Sequence, residues 1–234
     1  MEKIMLLAQL PDNSNADFFR DSDMHDLSGQ LLARADVHAL TLQIEDSDVK
    51  DAAALRLEVA GGLPQLVVSL WLDSANAHEA IEAIVAQFTQ SMEGYLVSES
   101  TVLNPFIKAG ERGAGSTQVC SFRALPDLSH EEFIKRWRGD HTALALATQS
   151  TFGYRQNLVV SPLNPSSRPC SAIVEEHFPA AAMDSPEAFF DAIGDQERLQ
   201  QHQQQMADSC ARFIDFESIN VVHMSEYVMK NLLS

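Results

Sequence analysis

Three groups of side chains in this sequence have types and spacings that could do chemistry. Phe133, Ile134, Trp137, His141 and Leu144 recur at helical spacing, which puts an imidazole on an otherwise apolar face. An imidazole titrates near about 6.5, so His141 could give or take a proton at neutral pH. The alternative is a core histidine satisfied by a backbone carbonyl or by neighbouring Asp140. In the strand pattern over residues 171–178, Ile173, Glu175 and His177 point to one side, and Ala172, Val174, Glu176 and Phe178 to the other. A carboxylate and an imidazole two residues apart can form an acid–base pair or part of a metal site, but two ligands are too few to define a metal. A hydrogen-bonded strand face is the plainer reading of Glu175 and His177. Tyr154, Arg155 and Asn157 open the preceding strand and could orient a polar group of a ligand.

Other chemistries lack their residues. No GxSxG elbow is present, and Gly110, Gly113 and Gly115 are not followed by a Walker lysine. His130-Glu131 begins like HExxH, but Ile134 stands where the second histidine belongs. No metal and no cofactor are expected. Haem would need one axial ligand from His141, His177, His202 or His223, and no second feature points to it.

The elements that must position these residues come in two similar series. Residues 65–72 read as a strand, followed by Asp73-Ser74 and a helix with Ile81, Ile84, Val85 and Phe88 as its stripe. Residues 171–178 read as a strand, followed by Asp184-Ser185-Pro186 and a helix carrying Phe189, Phe190 and Ile193. Serine is the expected N-cap in both, and Pro186 suits the first helical position. The strands that follow match as well, with Tyr95-Leu96-Val97-Ser98-Glu99-Ser100 set against Phe213-Ile214-Asp215-Phe216-Glu217-Ser218. Upstream, residues 4–10 and 117–123 read as strands, each leading through a helix to a second strand; in the first of these second strands His38, Leu40, Leu42 and Ile44 share a face. The order strand, helix, strand, strand, helix, strand occurs twice, which is the ferredoxin-like plan. The expected organisation is α+β, with a divergent unit over residues 1–105, a linker at 106–115 and a second unit over 116–234. Residues 46–62 and 161–169 read as loops or small insertions. A sheet covered by helices on one face needs cover on the other, and two such sheets packed face to face would supply it and enclose a ligand cavity.

The bulk properties limit the partners. A formal net charge of -17 on 234 residues repels nucleic acid and anionic membrane surfaces, and no basic patch counters it. The apolar run at the start is broken by Pro11-Asp12-Asn13, so no leader or membrane span is expected and the localisation reads as cytoplasmic. Cys120, Cys170 and Cys210 are widely separated and read as reduced core residues.

The stretch Leu128-Ser129-His130-Glu131-Glu132-Phe133-Ile134-Lys135-Arg136-Trp137-Arg138-Gly139-Asp140-His141, with Gly153-Tyr154-Arg155-Gln156-Asn157 after it, resembles the EthD family. The likeness continues through Glu175-Glu176-His177-Phe178, Asp184-Ser185-Pro186-Glu187-Ala188 and Phe213-Ile214-Asp215, roughly the second half of the chain. In the first half only Phe18, Phe19 and His25 answer to it, at a spacing that differs by one. The resemblance implies a dimeric α+β barrel, a superfamily that includes cofactor-independent monooxygenases, lactone isomerases and haem-binding enzymes. It implies a small apolar or aromatic substrate, transformed by cofactor-independent proton transfer or oxygenation in degradation or secondary metabolism. A non-catalytic small-molecule-binding or accessory barrel is the alternative. It makes His141 the catalytic candidate, near a cavity mouth, with Phe133, Trp137, Tyr154, Arg155, Asn157, Glu175 and His177 as ligand contacts. The family's habit of pairing makes a homodimer the expected partner.

Overall fold

The computed structural model describes residues 1–59 and 61–232, so the expected boundary at 234 lies outside the described residues. Among the described residues nine strands make one antiparallel sheet: β1 (Glu2–Gln9), β2 (Val37–Ile44), β3 (Leu57–Glu58), β4 (Leu66–Leu72), β5 (Ser91–Leu103), β6 (Ser116–Ala124), β7 (Gly153–Pro162), β8 (Ala172–Phe178) and β9 (Ile214–Lys230). Their order is β2-β4-β1-β5-β7-β8-β6-β9-β3, and β2 also pairs with β9, so the sheet closes into a barrel. In each half the strands run second, third, first, fourth. The fourth strand of one half pairs with the second strand of the other, as β5 with β7 and β9 with β2. The two half-sheets therefore face each other across the interior and are also joined at both edges. That closure leaves neither four-stranded half-sheet with an open edge.

Three apolar clusters follow from the alternation of side chains. In β1, Ile4, Leu6 and Ala8 face outward and pack with Leu27, Leu31, Ile81 and Val85 of the first half's helices. Met5 and Leu7 face inward and meet Val67, Tyr95, Val97, Val119, Ile173, Val222 and Met224, which plug one part of the barrel. Over the second half, Phe122, Phe133, Trp137, Tyr154 and Phe213 form the layer between sheet and helices, with Phe133 and Trp137 stacked at 5.3 Å. Full burial of each such ring contributes about 1.5–3 kcal/mol or more.

Ser129 Oγ accepts from the Glu132 N–H at 3.1 Å and starts the helix His130–Ile134. The helical run then widens into a π-helical stretch over Lys135–His141 before Thr142–Thr148. The first half repeats this device, with Asn15 as cap and a π-helical stretch over Phe19–Asp23. Ser74 and Ser185 cap the later helices as the sequence predicts. Residues 46–62 are more than a loop: a 3-10 helix, Ser47–Leu55, leads to β3, which pairs with Val221 and Asn220 of β9.

One expected equivalence fails. Between β6 and β9 the register breaks, with Ser121 opposite Asn220 but Arg123 opposite Asp215. Phe216, Glu217, Ser218 and Ile219 therefore fall in a bulge. By register, Glu99 answers to Glu226 and not to Glu217: each stands two residues past the partner of Lys3 or of Thr117.

Candidate active site in the barrel interior

Beyond the apolar plug, the inward positions turn polar. Lys3 Nζ donates to Glu99 Oε2 at 2.7 Å, Asn157 Oδ1 at 2.9 Å and Glu175 Oε2 at 3.0 Å, which uses all three of its hydrogens. Gln43 Nε2 donates to Glu175 at 2.7 Å and to Glu226 at 3.0 Å. Arg155 donates to both oxygens of Glu226, at 2.9 and 3.0 Å, and more weakly to Glu175 at 3.4 Å. His177 Nε2 lies 3.0 Å from Glu226 Oε2, and because an ionised carboxylate only accepts, that nitrogen carries a hydrogen. Glu175 and Glu226 are 0% and 2% exposed.

Burial pushes the Glu175 carboxyl up, but Lys3 and Arg155 outweigh it and hold it down at about 2. Glu226 is likewise raised by burial and brought well below the usual carboxylate range by Arg155 and His177. Burial alone would lower the Arg155 guanidinium, yet Glu226 and Glu175 leave it raised. The cluster is thus a set of fixed charges, each stabilised by the next. Among the described residues, Gln43 Oε1, Ser69 Oγ and His177 Nδ1 are buried without a hydrogen-bond partner.

A cavity of about 540 Å³ opens above this cluster. Trp71, Pro105, Phe106, Ile107 and Val228 form its apolar wall, while Glu99, Arg155, Thr41 and Thr101 form its polar floor. The segment expected to be a linker supplies part of that wall. Gly110 and Gly113 donate backbone hydrogens to Val228 and Glu226, and Arg112 bridges to Tyr227, so residues 104–115 are strapped along β9 at the mouth. Lys3 Nζ lies 4.6 Å from the centre of the Trp71 ring, a cation–π contact beneath the wall. His177 and Pro105 both pack so closely on Gly153 that a Cβ there would fall 2.6 Å from the imidazole Nδ1.

The sequence candidates divide cleanly. Arg155, Asn157, Glu175 and His177 point into the barrel and meet in one cluster. Phe133, Trp137 and Tyr154 belong to the outer layer beneath the helices, so they shape the fold and do not line the cavity. His141 is also there: it shares a 2.9 Å hydrogen bond with Ser209 and packs edge-on against Phe213 at 4.9 Å. The expectation that it stands at the cavity mouth is corrected, because its helix lies outside the barrel wall. Burial pushes its imidazole down to about 4, so the ring is neutral at physiological pH. None of His141, His177, His202 and His223 lines the mouth cavity, and the residues there do not fit a histidine-ligated haem. Among the described residues, no group of three or more His, Cys, Asp or Glu is gathered as for a metal ion, and no helix is long and apolar enough to cross a membrane.

Lys3, Gln43, Trp71, Glu99 and Glu226 were missed. Lys3 carried a signal, being a cation at the inward phase of an otherwise apolar strand. The others needed the closure of β2 on β9 and of β5 on β7.

Eight strands closed into a ring, helices outside and a charged cluster beneath a mouth cavity define a single-chain α+β barrel of the dimeric α+β barrel class. Within it, residues 125–217 match the family model of the EthD domain. No curated protein sequence matches the chain. Similar solved structures include an anthrone oxidase-like protein, with TM-score 0.59 and 10% identity over 100% of this chain and 94% of that one. A candidate monooxygenase from Lactobacillus acidophilus NCFM gives 0.51 and 8%, over 98% of this chain and 96% of that one. A candidate chlorite dismutase gives 0.51 and 10%, over 97% and 95%. At such identities the likeness is one of fold, and it spans both halves of the barrel.

Proposed function

We propose that this protein binds a small, largely apolar or aromatic compound in the mouth cavity and exchanges a proton with it through Glu99. The observation that carries this reading is the lining of the cavity, which passes from Trp71, Phe106 and Ile107 to Glu99 and Arg155 within one 540 Å³ space. Glu99 is the cluster's most accessible carboxylate, 18% exposed, with Lys3 on one oxygen and Thr101 on the other. A positioned carboxylate of this kind can take a proton from an acidic hydroxyl or carbon. Loss of that proton leaves an electron-rich anion, the form in which such compounds react with dioxygen. The same site therefore suits proton transfer or oxygenation, in degradation or secondary metabolism. Residues 1–105 and 116–234 act as two units sharing this one interior, and two chains pair through their outer faces, which light scattering over a range of concentrations would test.

The non-catalytic binding barrel has its own support, since every charged group of the floor already has a partner within the cluster. Calorimetry with naphthols, alongside NMR of deuterium uptake into the bound ligand, separates the two. Binding should weaken in Thr101→Phe, which fills the mouth, and exchange should fall by about 10² to 10⁴ in Glu99→Gln. Binding without exchange in the wild type would leave the carrier reading, and failure of all naphthols to bind would sink both.

A further inference from the structure

The charges of the floor are already balanced. Glu99, Glu175 and Glu226 face Lys3 and Arg155, and Lys230 stands at the rim with its Nζ donating to the Val37 carbonyl at 3.0 Å. Lys3 has no hydrogen left to give, and Arg155 gives its paired terminal nitrogens to carboxylates. An arriving carboxylate or phosphate would therefore add a negative charge to a poorly hydrated floor that only Lys230, at the rim, could face, inside a protein whose net charge is already -17.

Of the hydrogen-bonding capacities that remain open to the cavity, two belong to its floor residues Arg155 and Glu99. Among the described residues Arg155 Nε–H makes no hydrogen bond, and Arg155 lines the cavity. Glu99 accepts one hydrogen bond at each oxygen, from Lys3 and from Thr101, and a carboxylate oxygen can accept another. A donor and an acceptor thus both line the cavity at the foot of an aromatic wall.

Resting on the reading of this cavity as the ligand site, we infer that its ligand is an uncharged aromatic compound carrying an acidic hydroxyl beside a carbonyl oxygen. The hydroxyl donates to Glu99 and the carbonyl accepts from Arg155. In the transfer step the ligand's O–H bond breaks, the proton bonds to a Glu99 oxygen, and the electron pair stays on the ligand oxygen. One negative charge moves from Glu99 to the ligand, so the total charge of the floor does not change. The anion that forms is spread over both ligand oxygens and lies against Arg155, which is where stabilisation is needed.

The test is a calorimetric ranking of four probes on the full-length wild-type protein at neutral pH: 1-hydroxy-2-acetonaphthone, 1-naphthol, 2-acetonaphthone and 1-hydroxy-2-naphthoate. The hydroxyketone should bind at least about tenfold more tightly than either single-group probe, and the naphthoate at least about tenfold more weakly than the hydroxyketone. In Glu99→Gln the hydroxyketone's advantage over 2-acetonaphthone should shrink to below about threefold, while 2-acetonaphthone itself is unaffected. A naphthoate that binds as well as the hydroxyketone, or a hydroxyketone no better than the single-group probes, overturns the ligand class and leaves the cavity reading standing. Binding of none of the four overturns the cavity reading and this inference with it. The wild-type ranking decides the matter even if Glu99→Gln folds poorly.

Discussion

Glu99 in the first half and Glu226 in the second occupy matching inward positions, and each lies opposite an amide of the other half, Asn157 or Gln43. At the neighbouring matched positions the halves diverge. Lys3 answers to Thr117, Thr41 to Arg155, Ser69 to Glu175 and Trp71 to His177. The shared carboxylates and amides are the frame on which both seams close. Lys3 and Thr117 apart, the unshared residues give the interior two sides, an aromatic and hydroxyl-bearing one from the first half and an ionic one from the second. A symmetric barrel would have two equivalent mouths, whereas here the differences gather polar function at one of them.

That contrast can be broken most severely at Lys3. Lys3→Met would leave Glu175 and Glu99 short of their cation inside the barrel, and removing one partner of a buried ion pair costs about 3–5 kcal/mol. Its counterpart Thr117 holds no charge, so Thr117→Val should cost about 1 kcal/mol or less. Urea denaturation of the two variants measures the difference, and equal losses would mean that the charge asymmetry does not organise the interior.

The outward-facing neighbours differ as well. Leu70 of the first half packs in an apolar layer, while Glu176 at the matching position of the second half is buried with Gln118 as its partner. Burial pushes its carboxyl up to about 7 against an ordinary 4.5, with Gln118 offsetting only part of this. Between those values the folded chain binds more protons than the unfolded one, so this group's contribution falls as pH rises through the window and is level above it. Glu176→Gln should remove that slope and raise stability near pH 8 by about 2–3 kcal/mol. Glu175, held low, behaves oppositely: its stabilisation is present above about 4.5 and is lost as pH falls toward about 2. Denaturation curves at several pH values would show both signs, and a Glu176→Gln protein with the wild-type pH slope would contradict the first.

The two capped helix starts offer a smaller test. Ser129 and Asn15 each accept a backbone N–H at the head of a helix that soon turns π-helical. Replacing either by Ala should cost about 1 kcal/mol, and a much larger loss at one would mark that π-helical stretch as under strain.

Much of this organisation was legible in the sequence where the signal is local. Serine caps, period-two strands and the stacked Phe133 and Trp137 depend on neighbours a few residues away, and so does the shared facing of Glu175 and His177. The site was half legible, because closing a ring joins residues far apart in the chain, such as Gln43 with Glu226 and Glu99 with Asn157. Matching Glu99 to Glu217 failed for a related reason: the bulge inserts residues that local similarity cannot see. His141 misled because a histidine on an apolar helical face looks the same whether that face meets a cavity or the back of the barrel wall.

The least effect is expected at His141, and its smallness is informative. If the interior cluster carries the function, His141→Gln should leave the affinity for naphthol probes within about twofold, because the ring touches Phe213 and Ser209 and not the cavity. Its loss should show only in stability. With burial holding the imidazole near 4 against an ordinary 6.5, the wild type has this residue's full contribution above 6.5 and loses it as pH falls through that interval. Glutamine does not titrate, so the variant should lose less stability than the wild type on going from pH 7 to pH 5. Fluorescence titration of ligand at pH 7, beside denaturation at both pH values, makes the separation. A large fall in ligand affinity with unchanged stability would place the working histidine outside the barrel and reverse the assignment of roles to the two layers.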